Sequence, residues 1–450
     1  MSKSKRSVSF PLVNSHAAAI DVGSRSNWVC VGQDKDQIQE FGVFTEDHHR
    51  LAKWLQFHEV TTVAMESTGI YWKPLFLILQ AYDFEVLLVN AAHVKNVRGK
   101  KTDMADCHWI WQLHRAGLLQ GSFQPDEFTE ELRTYNRHRK SLVEGAARCV
   151  SRMQKALILM NLQLPVVLTD ITGKSGKAII QAILDGERDG KNLAALAHPR
   201  VKASKEDIAK ALTGQWHDQY LFTLKQAWEL YQFQWKQIKQ CDQKIDALLS
   251  AKVKETGQHD LAYSPIKKKQ RQKNTTSVTI DKFVYQLTDG IDLMQIHGVS
   301  YNLLMTLVAE TGLDLASAFP SSKHFTSWLG LAPNKKITGG KIISNKTQKK
   351  KHRLANAFRH SANAVGRQYN NPLSDFFRRI AFKKNRAVAI TATARKIAVI
   401  VYHMLTKGEA FKPMTTEGYQ KIQREKKVKH IQRTIQQLGI STKELNLKLT

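Results

Sequence analysis

Four acidic residues stand where their types and spacing could do chemistry. In "RGKKTDMADCHW" (98–109), Asp103 and Asp106 are three residues apart, so on a helix they share one face. Asp21 follows the apolar run "AAAI" and precedes Gly23, and Glu66 closes a second apolar run in "AMESTG". An isolated D-x-x-D is ordinarily part of a salt-bridged surface, and a structural ion cluster is the plain reading of the set. Unpaired carboxylates gathered in one place repel, however, and one of them would hold its proton. Divalent cations remove that conflict. Hard oxygen donors suit Mg²⁺ or Mn²⁺, and two such ions about 4 Å apart can stabilise the attacking and leaving oxygens of a phosphodiester.

The elements that must position these residues follow from the hydrophobic pattern. "HAAAIDVG" (16–23), "NWVCVG" (27–32) and "QEFGVF" (39–44) read as three strands. A helix (47–59), a strand (61–67), a helix from Tyr71, a strand (84–90) and the helix of Asp103 and Asp106 follow. The order β-β-β-α-β-α-β-α implies a mixed sheet covered by helices. In it the first and fourth strands can be central neighbours, placing Asp21 beside Glu66, while the last helix carries the two aspartates across the face.

The chain has 450 residues, room for two to four domains at roughly 150 each. With 42% hydrophobic residues it can bury real cores. Its formal charge of +29 is a statement about partners, and the usual polyanion is nucleic acid. A membrane surface is the competing partner. Against it stand the lack of an apolar run near 18 residues and a polar, basic start, "MSKSKRSVSF", unlike a signal peptide. Cys30, Cys107, Cys149 and Cys241 form no C-x-x-C pair, which argues against a zinc site or disulfide framework and fits a reducing cytoplasm.

Basic residues recur beyond Lys100 and Lys101, which directly precede the aspartate helix. A long amphipathic helix is predicted over 137–160, with Leu142, Ala146, Cys149, Met153 and Met160 as its apolar stripe. Arg148, Arg152 and Lys155 share another face, able to follow a phosphate backbone or simply to be solvated. "TGKSGK" (172–177) fails as a phosphate loop, because Leu168 stands where a glycine is required. Leu221, Leu224, Trp228, Tyr231, Trp235, Ile238, Asp242, Ile245 and Leu249 are spaced alternately three and four, a coiled-coil seam with one polar interruption. Packing on the chain's own helices is one use of it; its regularity favours pairing with a second chain. "SPIKKKQRQKNTTS" (264–277) reads as a mobile basic linker touching nucleic acid.

A helix–turn–helix pattern spans 294–312, with Gly298 in the turn and a helix start able to hold a phosphate. Between 325 and 366 comes a loop, Gly339, Gly340 and Lys341, then Lys349, Lys350 and Lys351 leading into a basic helix. Small and apolar residues form a helix over 387–406, and the tail after 411 is basic. The division implied is a basic extension (1–14), a catalytic α/β domain (15–160), a helical region (161–262), a linker (263–290), a mainly helical C-terminal domain (291–410) and a basic tail (411–450).

"AIDVG", "MESTG" and "KTDMAD" resemble the Asp-Glu-Asp-Asp, RuvC/RNase H-like domain of the insertion-sequence one-ten family of transposases and the related pilin-gene invertase. "IHGVSYNLLMTLVAETG", "FTSWLGLAPNKKITGGK" and "AITATARKIAVIVYHML" are similar to that family's C-terminal transposase domain. The resemblance covers roughly 15–160 and 290–407. It implies a DNA recombinase of an insertion sequence, guided by a structured noncoding bridge RNA that pairs with donor and target DNA. It implies Asp21, Glu66, Asp103 and Asp106 as metal ligands, and a serine from another protomer's C-terminal domain that attacks the phosphodiester and holds the cut strand covalently. It also implies a homo-oligomer, dimer to tetramer, for which 221–249 is a plausible joint.

One departure bears on the chemistry. The family's loop reads Ser-Gly-Gly-Lys, and here Thr338 stands in the serine's place. Threonine keeps the hydroxyl, but its β-methyl restricts χ1. Three readings remain: Thr338 is the nucleophile, Ser344 substitutes for it, or this copy is impaired. Two rivals to the recombinase also stand. One is a RuvC-like junction nuclease with water as nucleophile; the other is a non-catalytic protein that pairs RNA with DNA.

Overall fold

The computed structural model describes residues 12–67, 69–90, 103–257, 261–264, 271–348, 350–412 and 416–439, with the side chain of Asp103 outside that description. The chain divides into two compact units, 1–124 and 125–450.

In the first unit, short runs rich in apolar residues build β1 (Ala17–Val22), β2 (Asn27–Cys30), β3 (Ile38–Phe41), β4 (Thr62–Glu66) and β5 (Glu85–Val89). Their order in the sheet is β3-β2-β1-β4-β5. β1 is antiparallel to β2 but parallel to β4, so the expected central neighbours are found. Ala18, Ile20, Val22, Val63 and Met65 pack on one face with α1 (Thr45–Phe57) and α2 (Trp72–Ala81). Ala19, Cys30, Ala64 and Val89 face the other way, onto Cys107, Ile110 and Trp111 of α3 (Asp103–Arg115). This mixed five-stranded sheet between helices fits an α/β nuclease-like domain.

The second unit is helical apart from one hairpin among the described residues. Its spine is α4 (Glu127–Leu159), capped by the Asp126 carboxylate accepting from the Thr129 N–H, packed along α5 (Asp218–Glu255). Four short helices between Leu164 and Ala211 close one end of that pair over a core of Ile179, Ile180, Ile183 and Leu193. Then come α6 (Ile280–Leu287), α7 (Tyr301–Thr311), α8 (Ser322–Trp328), β6 (Lys336–Thr338), β7 (Lys341–Ser344), α9 (Arg353–Val365), α10 (Pro372–Lys383), α11 (Arg386–Lys407) and α12 (Thr416–Leu438).

Two expectations for this half are corrected. The seam at 221–249 does not await a second chain: Leu224, Trp228, Tyr231, Ile238, Asp242, Ile245 and Leu249 are buried, and α5 packs along its length on α4 of the same chain. Three-four spacing specifies an apolar stripe, and a long helix in the same chain satisfies it as well as a partner does. The segment 264–277 is not loose throughout. Residues 265–270 lie outside the described residues, but Arg271 stacks on Tyr301 with its guanidinium 4.9 Å from the ring centre. The Thr276 hydroxyl and the Ser277 N–H both donate to Asp242.

α11 is long and apolar enough to cross a membrane by length and composition. Here it is the core helix of the C-terminal part, burying Ala394, Ile397, Ala398 and Val401 against α8, α9 and α10. Gly298 (φ 89°) is required in its turn, because a Cβ there would stand 2.5 Å from a Val365 methyl. The start of α7 is occupied by the Ser300 hydroxyl, which accepts from the Leu303 N–H.

Candidate active site

Asp21 and Glu66 end up side by side. β1 and β4 run parallel in the register Ile20↔Met65, so the next residue on each strand is Asp21 and Glu66. Side chains alternate along a strand, so Asp21 follows Ala17 and Ala19, and Glu66 follows Thr62 and Ala64, onto the face covered by α3. Glu66 is buried and Asp21 half-buried.

α3 lies antiparallel to β1. The Trp111 indole donates to the Ala17 carbonyl at 2.8 Å, and one turn earlier the Cys107 thiol approaches the Ala19 carbonyl at 3.3 Å and the Trp28 carbonyl at 3.0 Å. The first turn of α3, which carries Asp103 and Asp106, therefore overlies the carboxyl end of β1, where Asp21 stands. Asp106 is half-buried next to Cys107. Burial first, then the neighbouring Cys30 and Asp21, hold the Cys107 thiol well above its ordinary range, so it remains a neutral donor beneath the carboxylates.

Among the described residues no three of His, Cys, Asp and Glu are grouped closely enough to hold a metal ion. Asp103, whose side chain falls outside them, is the fourth member of the predicted set. Oxygen donors on two adjacent strand ends and a facing helix turn remain the donor chemistry that Mg²⁺ takes. Lys100 and Lys101 lie outside the described residues.

The second group of candidates lies on a β-hairpin. Gly339 (φ 54°) and Gly340 (φ 75°) turn the chain between β6 and β7. Positive φ at both central residues suits a two-residue hairpin turn, which explains the glycine pair. A Cβ at either position would meet nothing within 4 Å, so it is conformation, not space, that calls for glycine. Thr338 is exposed and pairs across the strands with Lys341. Ser344 lies at the other end of β7, opposite Lys336, and its hydroxyl accepts from the Lys346 N–H at 3.4 Å. Three residues of strand, roughly 10 Å, separate the Lys341 that faces Thr338 from Ser344. Lys349 is outside the described residues; Lys350 and Lys351 are exposed.

Arg148, Arg152 and Lys155 are exposed on α4. Arg152 and Lys155 border a groove of about 840 Å³ whose other wall, on α5, includes Tyr220 and Phe233. Sequence reading missed those rings as surface residues because they sit among seam positions. It also missed Glu310, in "VAETG". This buried carboxylate accepts from Arg137 Nε at 3.0 Å and Nη2 at 2.6 Å, while Arg133 donates to the Glu310 carbonyl, fastening α7 to α4. A lone glutamate closing an apolar helix was the signal. Its charge also reaches His352, the N-cap of α9, whose ring stands 4.3 Å from that of Trp328.

Residues 18–161 match the family model of the IS110 DEDD transposase domain, and residues 292–378 match that of the transposase IS116/IS110/IS902 family. The chain carries the two domains of an IS110-family transposase. The first match ends at the close of α4, so it takes in the sheet, the aspartate helix and the long helix of the second unit. The second opens at α7's approach and contains the Gly339–Gly340 hairpin. No curated protein matches the chain. Membership in this family makes the protein a DNA transposition and recombination enzyme of insertion sequences, with DNA as its substrate.

Proposed function

We propose that this transposase is an RNA-guided recombinase with a RuvC/RNase H-like catalytic domain. In this reading Asp21, Glu66, Asp103 and Asp106 hold Mg²⁺, or Mn²⁺ in its place. The observation that carries it is the juxtaposition of Asp21 and Glu66 on the sheet face over which the first turn of α3 lies. The bound ions would supply Lewis-acid stabilisation of the phosphodiester oxygens. The chain supplies the rest. Rigid strand ends carry two of the carboxylates, and the first turn of α3 carries Asp106.

The Thr338 hydroxyl attacks phosphorus. The threonine Oγ–P bond forms, the P–O bond to a sugar breaks, and the proton passes to the leaving sugar oxygen. Lys341, across the turn, faces the charge of the phosphate. The cut strand stays on the protein until a sugar hydroxyl of another strand reverses the step. Thr338 suits this role better than Ser344, which is engaged in its own turn at the hairpin base. Two to four protomers, donor and target DNA, and a bridge RNA transcribed from the element complete the assembly, in the cytoplasm and at the nucleoid.

The test is a denaturing gel for a protein–DNA adduct, using Mg²⁺, labelled DNA that joins the element's two ends, and RNA transcribed from those ends. An adduct that forms with the wild type and with Thr338→Ser but vanishes in Thr338→Ala, Asp21→Asn and Asp106→Asn is the expected result. Cut DNA without adduct in every lane would replace this reading with the water-using nuclease, and neither cut DNA nor adduct in any lane, Thr338→Ser included, with the non-catalytic pairing protein.

A further inference from the structure

The hairpin that carries Thr338 has a second face. Ile337 pairs with Ile342 across the strands, one position from the Thr338–Lys341 pair, so the two pairs project from opposite sides of the ribbon. Both isoleucines are more than half exposed, at 58% and 56%, and Ile343 next to them reaches 69%. A two-stranded hairpin is marginal by itself, and nothing among the described residues covers this apolar face. Lys335, Lys336, Lys341 and Lys346 surround it, all exposed, and no Asp or Glu occurs from Leu315 to Ser374.

A second copy of the hairpin is a poor cover, because it would bring two sets of lysines together. Nucleic acid is a good one, but not as an intact duplex. A paired helix shows its phosphates outward and hides its bases, so it can serve only the Thr338–Lys341 side. DNA with separated strands offers both chemistries at once, phosphate to one face and the flat apolar surface of unpaired bases to the other.

We propose that the hairpin enters opened DNA at the cut site, with the Ile337–Ile342 face packed on unpaired bases while the Thr338–Lys341 face meets the backbone. This rests on the assignment of the hairpin to the cutting chemistry and adds what that hairpin recognises. The transposase would then prefer strand-separated DNA, and would resist re-pairing of the strands while a cut end is held.

The test compares the full-length protein's affinity, without Mg²⁺, for the element-junction duplex and for the same duplex carrying a three-base mismatch bubble. The wild type should favour the bubble by roughly 10-fold, towards the low end of what one base stacked on an aromatic side chain gives. Ile337→Ser/Ile342→Ser should bind the two DNAs alike, with affinity for the paired duplex changed less than about twofold. Ile337→Val/Ile342→Val should restore the preference. The replaced side chains are exposed, so an unchanged melting temperature shows that the fold is intact. A serine variant that keeps the preference overturns the proposal, and so does a fall in oligomer mass, which would assign the face to a second copy. Thr338→Ala should retain the preference while losing the adduct. If no protein forms an adduct yet the serine variant still loses the preference, the nucleophile assignment fails and the recognition of open DNA stands.

Discussion

Arg139 on α4 donates to both oxygens of Asp242 on α5, Nε at 2.6 Å and Nη2 at 3.5 Å, with both side chains buried. Burial would raise the Asp242 pKa, but hydrogen bonds from Arg139, the Ser277 N–H and the Thr276 hydroxyl outweigh it and hold it below the ordinary carboxylate range. The aspartate that interrupts the 221–249 seam is thus a clasp. It fixes the register of α4 on α5 and ties down the chain just before α6. Removing one member of such a pair leaves a buried charge without its partner and costs about 3–5 kcal/mol. Asp242→Leu and Arg139→Met should each show a loss of that order by denaturant unfolding. The double variant should lose much less than the sum, since neither charge is then stranded. Additive losses would remove the clasp interpretation.

The carboxylate site should announce itself through metal-dependent stability. Free Mg²⁺ at 100 times its Kd stabilises a folded protein by about 2.7 kcal/mol. The wild-type melting temperature should therefore rise on titration with Mg²⁺ and fall back with EDTA. Asp21→Asn and Glu66→Gln, isosteric and on rigid strand ends, should fold and lose most of that rise. Equal rises in all three proteins would exclude Asp21 and Glu66 as ligands.

The hairpin turn gives a conformational prediction. Gly339 needs a positive φ and no free space, so a residue that tolerates the left-handed region should serve. Gly339→Asn should keep adduct formation, because Asn-Gly is a favoured pair for such turns. Gly339→Val should abolish it, since a β-branched residue at that φ is strained and the Thr338–Lys341 pairing would open. If valine works as well as asparagine, the turn geometry does not matter to the chemistry.

Much of the first unit was legible because each of its elements has a plain period. "AAAID" and "TVAME" are short, near-continuous apolar runs, as strands buried on both faces must be, and the order of elements left β1 and β4 as natural neighbours. The antiparallel course of α3, which lays its first turn over the strand ends, was not readable, because it depends on Cys107 and Trp111 finding backbone carbonyls. The seam failed differently. Its spacing is real, but spacing does not say whose helix fills it, and Arg139, the one residue that would have told, lies 103 positions away. Thr338 was found by motif; its pairing with Lys341 and the exposed isoleucines opposite needed the hairpin's register.

His352 carries the last prediction. Desolvation in its contact with Trp328 lowers its pKa to about 4, against the pull of Glu310, which raises it. The ring therefore stays neutral, as its capping role requires, with Nδ1 accepting from the Ala355 N–H at 3.4 Å. In the unfolded chain the same imidazole takes its proton near pH 6.5. As pH falls from about 6.5 towards 4, the unfolded state binds a proton that the folded state does not. Stability is thus fully present above that window and is lost across it. The melting temperature should drop between pH 7.5 and pH 5, and His352→Asn, which retains a cap acceptor but does not titrate, should flatten that part of the profile. A variant whose profile runs parallel to the wild type would place the acid sensitivity elsewhere.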